Sequence, residues 1–159
     1  MKPRIETINE KKLVGKKLIM SFANYTIGQL WGSFMPRRKE IKNKVSTDLI
    51  SMVIYNPNHF ENFNPENEFV RWAAVEVTDF EDIPIEMETY ILSNGLYAVF
   101  QYKGLSSGSA AFYQYIYSDW LPNSEYQLDN RPHFEILGVK YKNDDPTSEE
   151  EVWIPIKMK

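Results

Sequence analysis

The sequence contains no cysteine. That removes disulfide frameworks, thiolate nucleophiles and cysteine-based metal sites. The only two histidines, His59 and His133, are not at metal-ligand spacing. The acid-dense run "DDPTSEEE" (144–151) lacks the spacing and central glycine of a calcium loop, so it reads as a solvated loop and no metal is expected. No apolar run approaches the roughly 18 residues of a membrane span. The polar start "MKPRIETINEKK" is no signal peptide. These absences lead us to expect a soluble, cytoplasmic protein with no membrane partner. Positive charge is also short: the formal net charge is −4. The only basic cluster, "PRRKEIKNK" (36–44), reads as a solvated helix end, so direct nucleic-acid binding is not expected. The glycine and serines of "KGLSSGSAAF" precede a helix but lack the lysine of a phosphate-binding loop. They read as capping residues, and no cofactor is expected.

Aromatic residues, by contrast, are abundant: 10 Tyr, 9 Phe and 4 Trp in 159 residues. They serve cores and ligand pockets equally well. Length and hydrophobic content fit one domain, 1–159, with a substantial core. "GKKLIMSF" (15–22) reads as a strand. In "YTIGQLWGSFMP", Ile27, Leu30, Trp31 and Phe34 fall on one helical face, which reads as core, and Pro36 ends the helix. "TDLISMVIY" (47–55) and "EFVRWAAVEV" (68–77) read as strands around the turn-rich "NPNHFENFNPEN". The second half repeats this order. "ETYILSNGLYAVFQY" (88–102) holds strand residues around a turn. Tyr113, Ile116, Tyr117 and Trp120 form a second helical stripe closed by Pro122. "HFEILGVKY" (133–141) and "EVWIPIK" (151–157) follow as strands.

The match extends to residues. Phe34-Met35-Pro36 corresponds to Trp120-Leu121-Pro122, and at the same offset Thr47–Tyr55 lies on His133–Tyr141. A repeat at half the chain length predicts two similar modules, 12–77 and 88–157, sharing one core. The fold class expected is α+β: duplicated strand–helix–strand–strand modules about a pseudo-twofold axis. Their antiparallel sheet would carry the helices on one face and a ligand groove on the other.

One residue breaks the apolar pattern. Glu135 stands where the first module has Leu49. Alternation puts it on the same strand face as His133, Leu137, Val139 and Tyr141. A buried carboxylate must be paired, neutralised or wet. It is therefore either a strand-edge residue that is paired with Arg or Lys or faces solvent, or the acid of a groove. Glu76 shares parity with Trp72 and is a second candidate acid or an exposed strand residue. Tyr97, Tyr126, Trp120, Trp153 and Tyr141 are candidate groove aromatics, with plain core packing as the alternative.

The stretches "LWGSFMPRR", "AAVEVTDFEDIP", "GLYAVFQYKG", "DWLPNSEYQLDNRPHFEI" and "EVWIPIK" together resemble the GyrI-like small-molecule-binding domain. That domain is also the effector-binding part of bacterial AraC-type and MerR-type transcription regulators. The resemblance runs from about residue 12 to residue 157. It implies an aromatic-lined groove whose acidic residue favours lipophilic cations, and the "HFEI" match assigns that role to Glu135. The expected ligand is a small hydrophobic, cationic organic molecule. With Met1 shortly before the first predicted strand, no helix-turn-helix module is expected, which favours a stand-alone binding protein. Two other family activities stay open. One is hydrolysis of cyclopropane-bearing electrophilic toxins, with Glu135 and Tyr97 as catalytic groups. The other is a protein-interaction module of the gyrase-inhibitor type, with an unknown protein partner.

Overall fold

A computed structural model describes residues 2–159. The strands are β1 (Arg4–Ile8), β2 (Lys11–Met20), β3 (Leu49–Ile54), β4 (Phe69–Val77), β5 (Glu88–Leu92), β6 (Gly95–Lys103), β7 (Tyr126–Leu128), β8 (His133–Leu137) and β9 (Glu149–Met158). The helices are α1 (Ile27–Phe34) and α2 (Ser109–Tyr115). Strand–helix–strand–strand occurs twice, as β2-α1-β3-β4 and β6-α2-β8-β9, and this α+β order is the one the sequence predicts. β1 and β7 are additions to the predicted set. α1 runs on into a tight turn of helix, Met35–Glu40, with Pro36 at its start, where a missing N–H costs nothing.

All strand pairs are antiparallel, in the order β1-β6-β9-β8-β3-β4-β2-β5, with β7 paired to β9. The two ends of that order are not independent. β1 is joined to β2 by Asn9 and Glu10 alone, and β5 to β6 by Ser93 and Asn94 alone. The chain thereby ties one end of the sheet to the other, and the sheet curls until its inner face packs on itself. Ile8, Leu13, Met52, Trp72, Leu92, Tyr97, Phe134 and Trp153 share one buried cluster spanning both ends. Gly15 marks the point where β2 pairs with both β4 and β5. A Cβ there would meet the Ala73 carbonyl oxygen at 2.0 Å, so only glycine permits this approach.

The outer face carries both helices. Leu30 and Phe34 of α1 pack on Val53, Phe69, Ala73 and Val75. Phe112 of α2 and Ile116 just beyond it pack on Phe100, Val152 and Ile154. α1 thus covers β2 and β4, while α2 covers β6 and β9. Between those positions lie four strand spacings, about 19 Å, against the 8–10 Å of helices in contact. The outer faces of β3 and β8 are left without a helix above them. This corrects the expected placement of the groove. It lies on the helix-bearing face, because the opposite face is filled by its own aromatic side chains.

Candidate functional site

The gap between the helices is a cavity of about 980 Å³. β3 and β8 form its floor. Their register sets Leu49 opposite Leu137, Ser51 opposite Glu135 and Val53 opposite His133. All six side chains border the cavity. Ile27, Trp31 and Met35 wall it on the α1 side, and Tyr113 and Tyr117 on the α2 side. Phe22, Tyr25 and Phe60 stand at its mouth, each nearly half exposed. Phe60 reaches from the 56–67 loop to stack on Tyr117 at 5.8 Å between ring centres. Gly28 also borders the cavity, and a Cβ on it would meet nothing within 4 Å.

A charged cluster sits in this aromatic enclosure. Glu135 Oε1 accepts a hydrogen bond from the Tyr113 hydroxyl at 2.9 Å and lies 3.4 Å from Arg71 Nη2. The same Arg71 nitrogen donates to Ser51 Oγ at 3.0 Å. Arg71 comes from β4, where it shares parity with Phe69, Ala73 and Val75 and is therefore drawn to the helix face. Burial alone would weaken its charge, but Glu135 and the surrounding tyrosines outweigh that, and its pKa is raised. Glu150, on β9, borders the cavity two residues before Val152, the strand partner of Glu135, so the two acids approach it from adjacent strands. Burial, followed by the neighbouring Glu135 charge, pushes its pKa up to about 8. Glu150 is therefore mostly protonated at neutral pH.

His133 and the buried tyrosines Tyr55, Tyr113 and Tyr117 of the wall are neutral. Burial, with a smaller push from the Arg71 charge, lowers His133 to about 3, and its Nδ1 lies 3.3 Å from the Tyr117 hydroxyl. Burial also raises Tyr55 to about 12 and the Tyr113 and Tyr117 hydroxyls far above their ordinary value. At neutral pH the cavity holds one guanidinium, one carboxylate and one carboxylic acid, nearly balanced in charge.

The residues expected from sequence divide sharply. Glu135 and Tyr141 border the cavity. Glu135 lines the cavity and is paired with Arg71; its own strand, β8, lies between β3 and β9 and not at an edge of the sheet. β8 stops at Leu137, so Tyr141 arrives from the following turn and Val139, 90% exposed, is not a packed strand residue. Trp153 borders the floor, but its ring belongs to the inner face, stacked on Phe134 at 5.1 Å. Tyr97 is fully buried in that inner cluster, where its hydroxyl donates to the Pro132 carbonyl at 2.8 Å. The sheet therefore separates Tyr97 from Glu135, and the two do not face one ligand. Trp120 and Tyr126 stack on each other at 6.3 Å beneath α2, away from the cavity. Glu76 pairs with Lys11 at 3.4 Å, also outside it. Trp31, expected in the core, is a cavity wall.

The chain matches the sequence profile of the GyrI-like small molecule binding domain over residues 1–157. It is 30% identical over 145 residues to the transcriptional regulator BrlR of Pseudomonas aeruginosa, covering 91% of this chain and 51% of BrlR. It thus spans about half the length of that relative. Among solved structures, SAV2435 bound to tetraphenylphosphonium superposes with a TM-score of 0.67 at 18% identity, covering 99% of this chain and 94% of that one. The EcmrR C-terminal domain gives 0.72 at 16% identity, covering 99% and 98%.

Proposed function

The chain belongs to the GyrI-like small-molecule-binding family, and from that premise we propose that it binds hydrophobic, cationic organic molecules in the cavity between α1 and α2. The observation that carries this reading is a carboxylate, Glu135, on the floor of a large enclosure walled by aromatic rings. A volume of about 980 Å³ sits at the top of the range for small-molecule sites. Each aromatic face attracts a cation by about 0.5–2 kcal/mol, more when water is displaced. The arginine does not forbid this. Arg71 is held toward Ser51 and Glu135, so the rings remain the surface a ligand meets. The tetraphenylphosphonium held by the structural relative SAV2435 is a ligand of this chemistry. The match to half of a transcriptional regulator supports a role as an effector-sensing unit, in which occupancy of the cavity is the signal.

Calorimetric titration with tetraphenylphosphonium and with the neutral analogue triphenylphosphine oxide tests the reading. Replacing Glu135 by Gln removes a counter-charge and leaves Arg71 in place. It should weaken the cation by at least about tenfold and the neutral analogue by far less. Equal losses for the two ligands, or no binding of either, would sink it.

A further inference from the structure

We infer that Glu150 is the cavity's exchangeable counter-ion: a cationic ligand takes the place of the Glu150 proton, while Glu135 stays bound to the protein. This deepens the reading just given and rests on it. The geometry assigns the two acids different tasks. Glu135 already has two partners of its own, the Tyr113 hydroxyl and the Arg71 guanidinium. Glu150 borders the same cavity from the neighbouring strand, diagonal to Glu135 across the β8–β9 ladder. Two carboxylates set side by side in one cavity cannot both carry charge beside a single guanidinium at low cost, so they hold one proton between them.

Among the described residues, the charged and titratable groups that border the cavity around Glu150 agree with that division. From β8 come Glu135 and the neutral His133; from β4 comes Arg71. Tyr102 on β6 donates its hydroxyl to the Leu105 carbonyl. Tyr113 on α2 and Tyr141 in the 138–148 turn are neutral phenols with pKa values raised by burial. None of these supplies a second positive charge. A ligand cation supplies it. Its arrival gives the second carboxylate a partner, the O–H bond of the Glu150 carboxyl breaks, and the proton passes to buffer. The cavity then holds two carboxylates, one guanidinium and one ligand cation, again balanced. A neutral ligand releases nothing.

The test is calorimetry of the whole chain at pH 7 in phosphate and in Tris, whose ionisation enthalpies differ. Tetraphenylphosphonium should release nearly one proton on binding, and triphenylphosphine oxide none. Between pH 6 and 8 the cation's affinity should rise by nearly tenfold per pH unit, levelling above the Glu150 pKa of about 8. Glu150→Gln copies the protonated acid. It should release no proton with the cation and show a flat pH profile. Cation binding by the parent chain without proton release overturns the exchange, as does unchanged release from Glu150→Gln. Failure of both ligands to bind removes the binding reading and this inference with it.

Discussion

The two faces of the central strands make opposite use of the same backbone. On β3 and β8, Ile50, Met52 and Phe134 point inward and Leu49, Ser51, Val53, His133 and Glu135 point outward. Inward, the sheet closes on itself and large side chains fill the space. Outward, two short helices cover only the flanks and leave a hole in the middle. The cavity is therefore a product of spacing. It needs no special loop, only helices set about twice as far apart as packed helices stand.

That comparison can be broken most strongly from inside. Phe134→Ala on the inner face should cost about 3–5 kcal/mol in urea unfolding, because a sealed cluster leaves a void. Phe60→Ala at the cavity mouth removes a ring of similar size that is 44% exposed, and should cost about 1 kcal/mol or less. Equal costs would show that the outer face is packed as tightly as the inner.

Arg71→Leu comes next in size. It strands the Glu135 carboxylate in a half-dry site, and about 3 kcal/mol of destabilisation is expected by the same unfolding measurement. No loss at all would mean that solvent in the cavity screens the pair.

The pH dependence sharpens the contrast further. Glu150 has a folded-state pKa of about 8, above that of an unfolded glutamate. Its contribution to stability is complete below the unfolded value near 4.5 and is lost as pH rises through about 8. The melting temperature of the ligand-free chain should fall over that window, and Glu150→Gln should flatten the fall. The smallest effect on stability is expected from Gly28→Leu. The side chain enters open space, so helix propensity should add about 0.5–1 kcal/mol while the filled cavity loses its ligand. Stabilisation with undiminished binding would place the ligand elsewhere.

Much of this was legible in the chain. The helical stripe at Ile27, Leu30, Trp31 and Phe34 located α1, and the match of Phe34-Met35-Pro36 to Trp120-Leu121-Pro122 located the repeated order. Parity placed Glu135 with His133 and Leu137 on one face, as observed. Parity alone did not say which face stays open, because that depends on how far apart the helices stand and whether the sheet closes. For this reason Tyr97 lies in the inner cluster, and Trp153 borders the cavity only from beneath. Arg71 belongs to no motif, and its only signal is an alternation with Phe69, Ala73 and Val75 that sets it on an apolar face. Glu150 was hidden in an acidic run that reads as solvated. The run in fact enters β9 at Glu149, and Glu150 keeps step with Val152 and Ile154. β8 ends at Leu137, before Gly138, so strand parity carried on to Val139 and Tyr141 had no backbone to support it.

The two short links that tie the ends of the sheet together have a kinetic consequence. Closing it requires Arg4 to find Val99 and Val99 to find Trp153, partners about 95 and 54 residues apart in the chain. Few of its strand pairs are local hairpins, so loop entropy must be lost before these contacts can form. The chain should therefore fold slowly for its size. β1, which pairs with β6 alone, should be the first strand to peel away and the last to return, and hydrogen exchange at Arg4–Ile8 would report that opening long before the inner cluster yields.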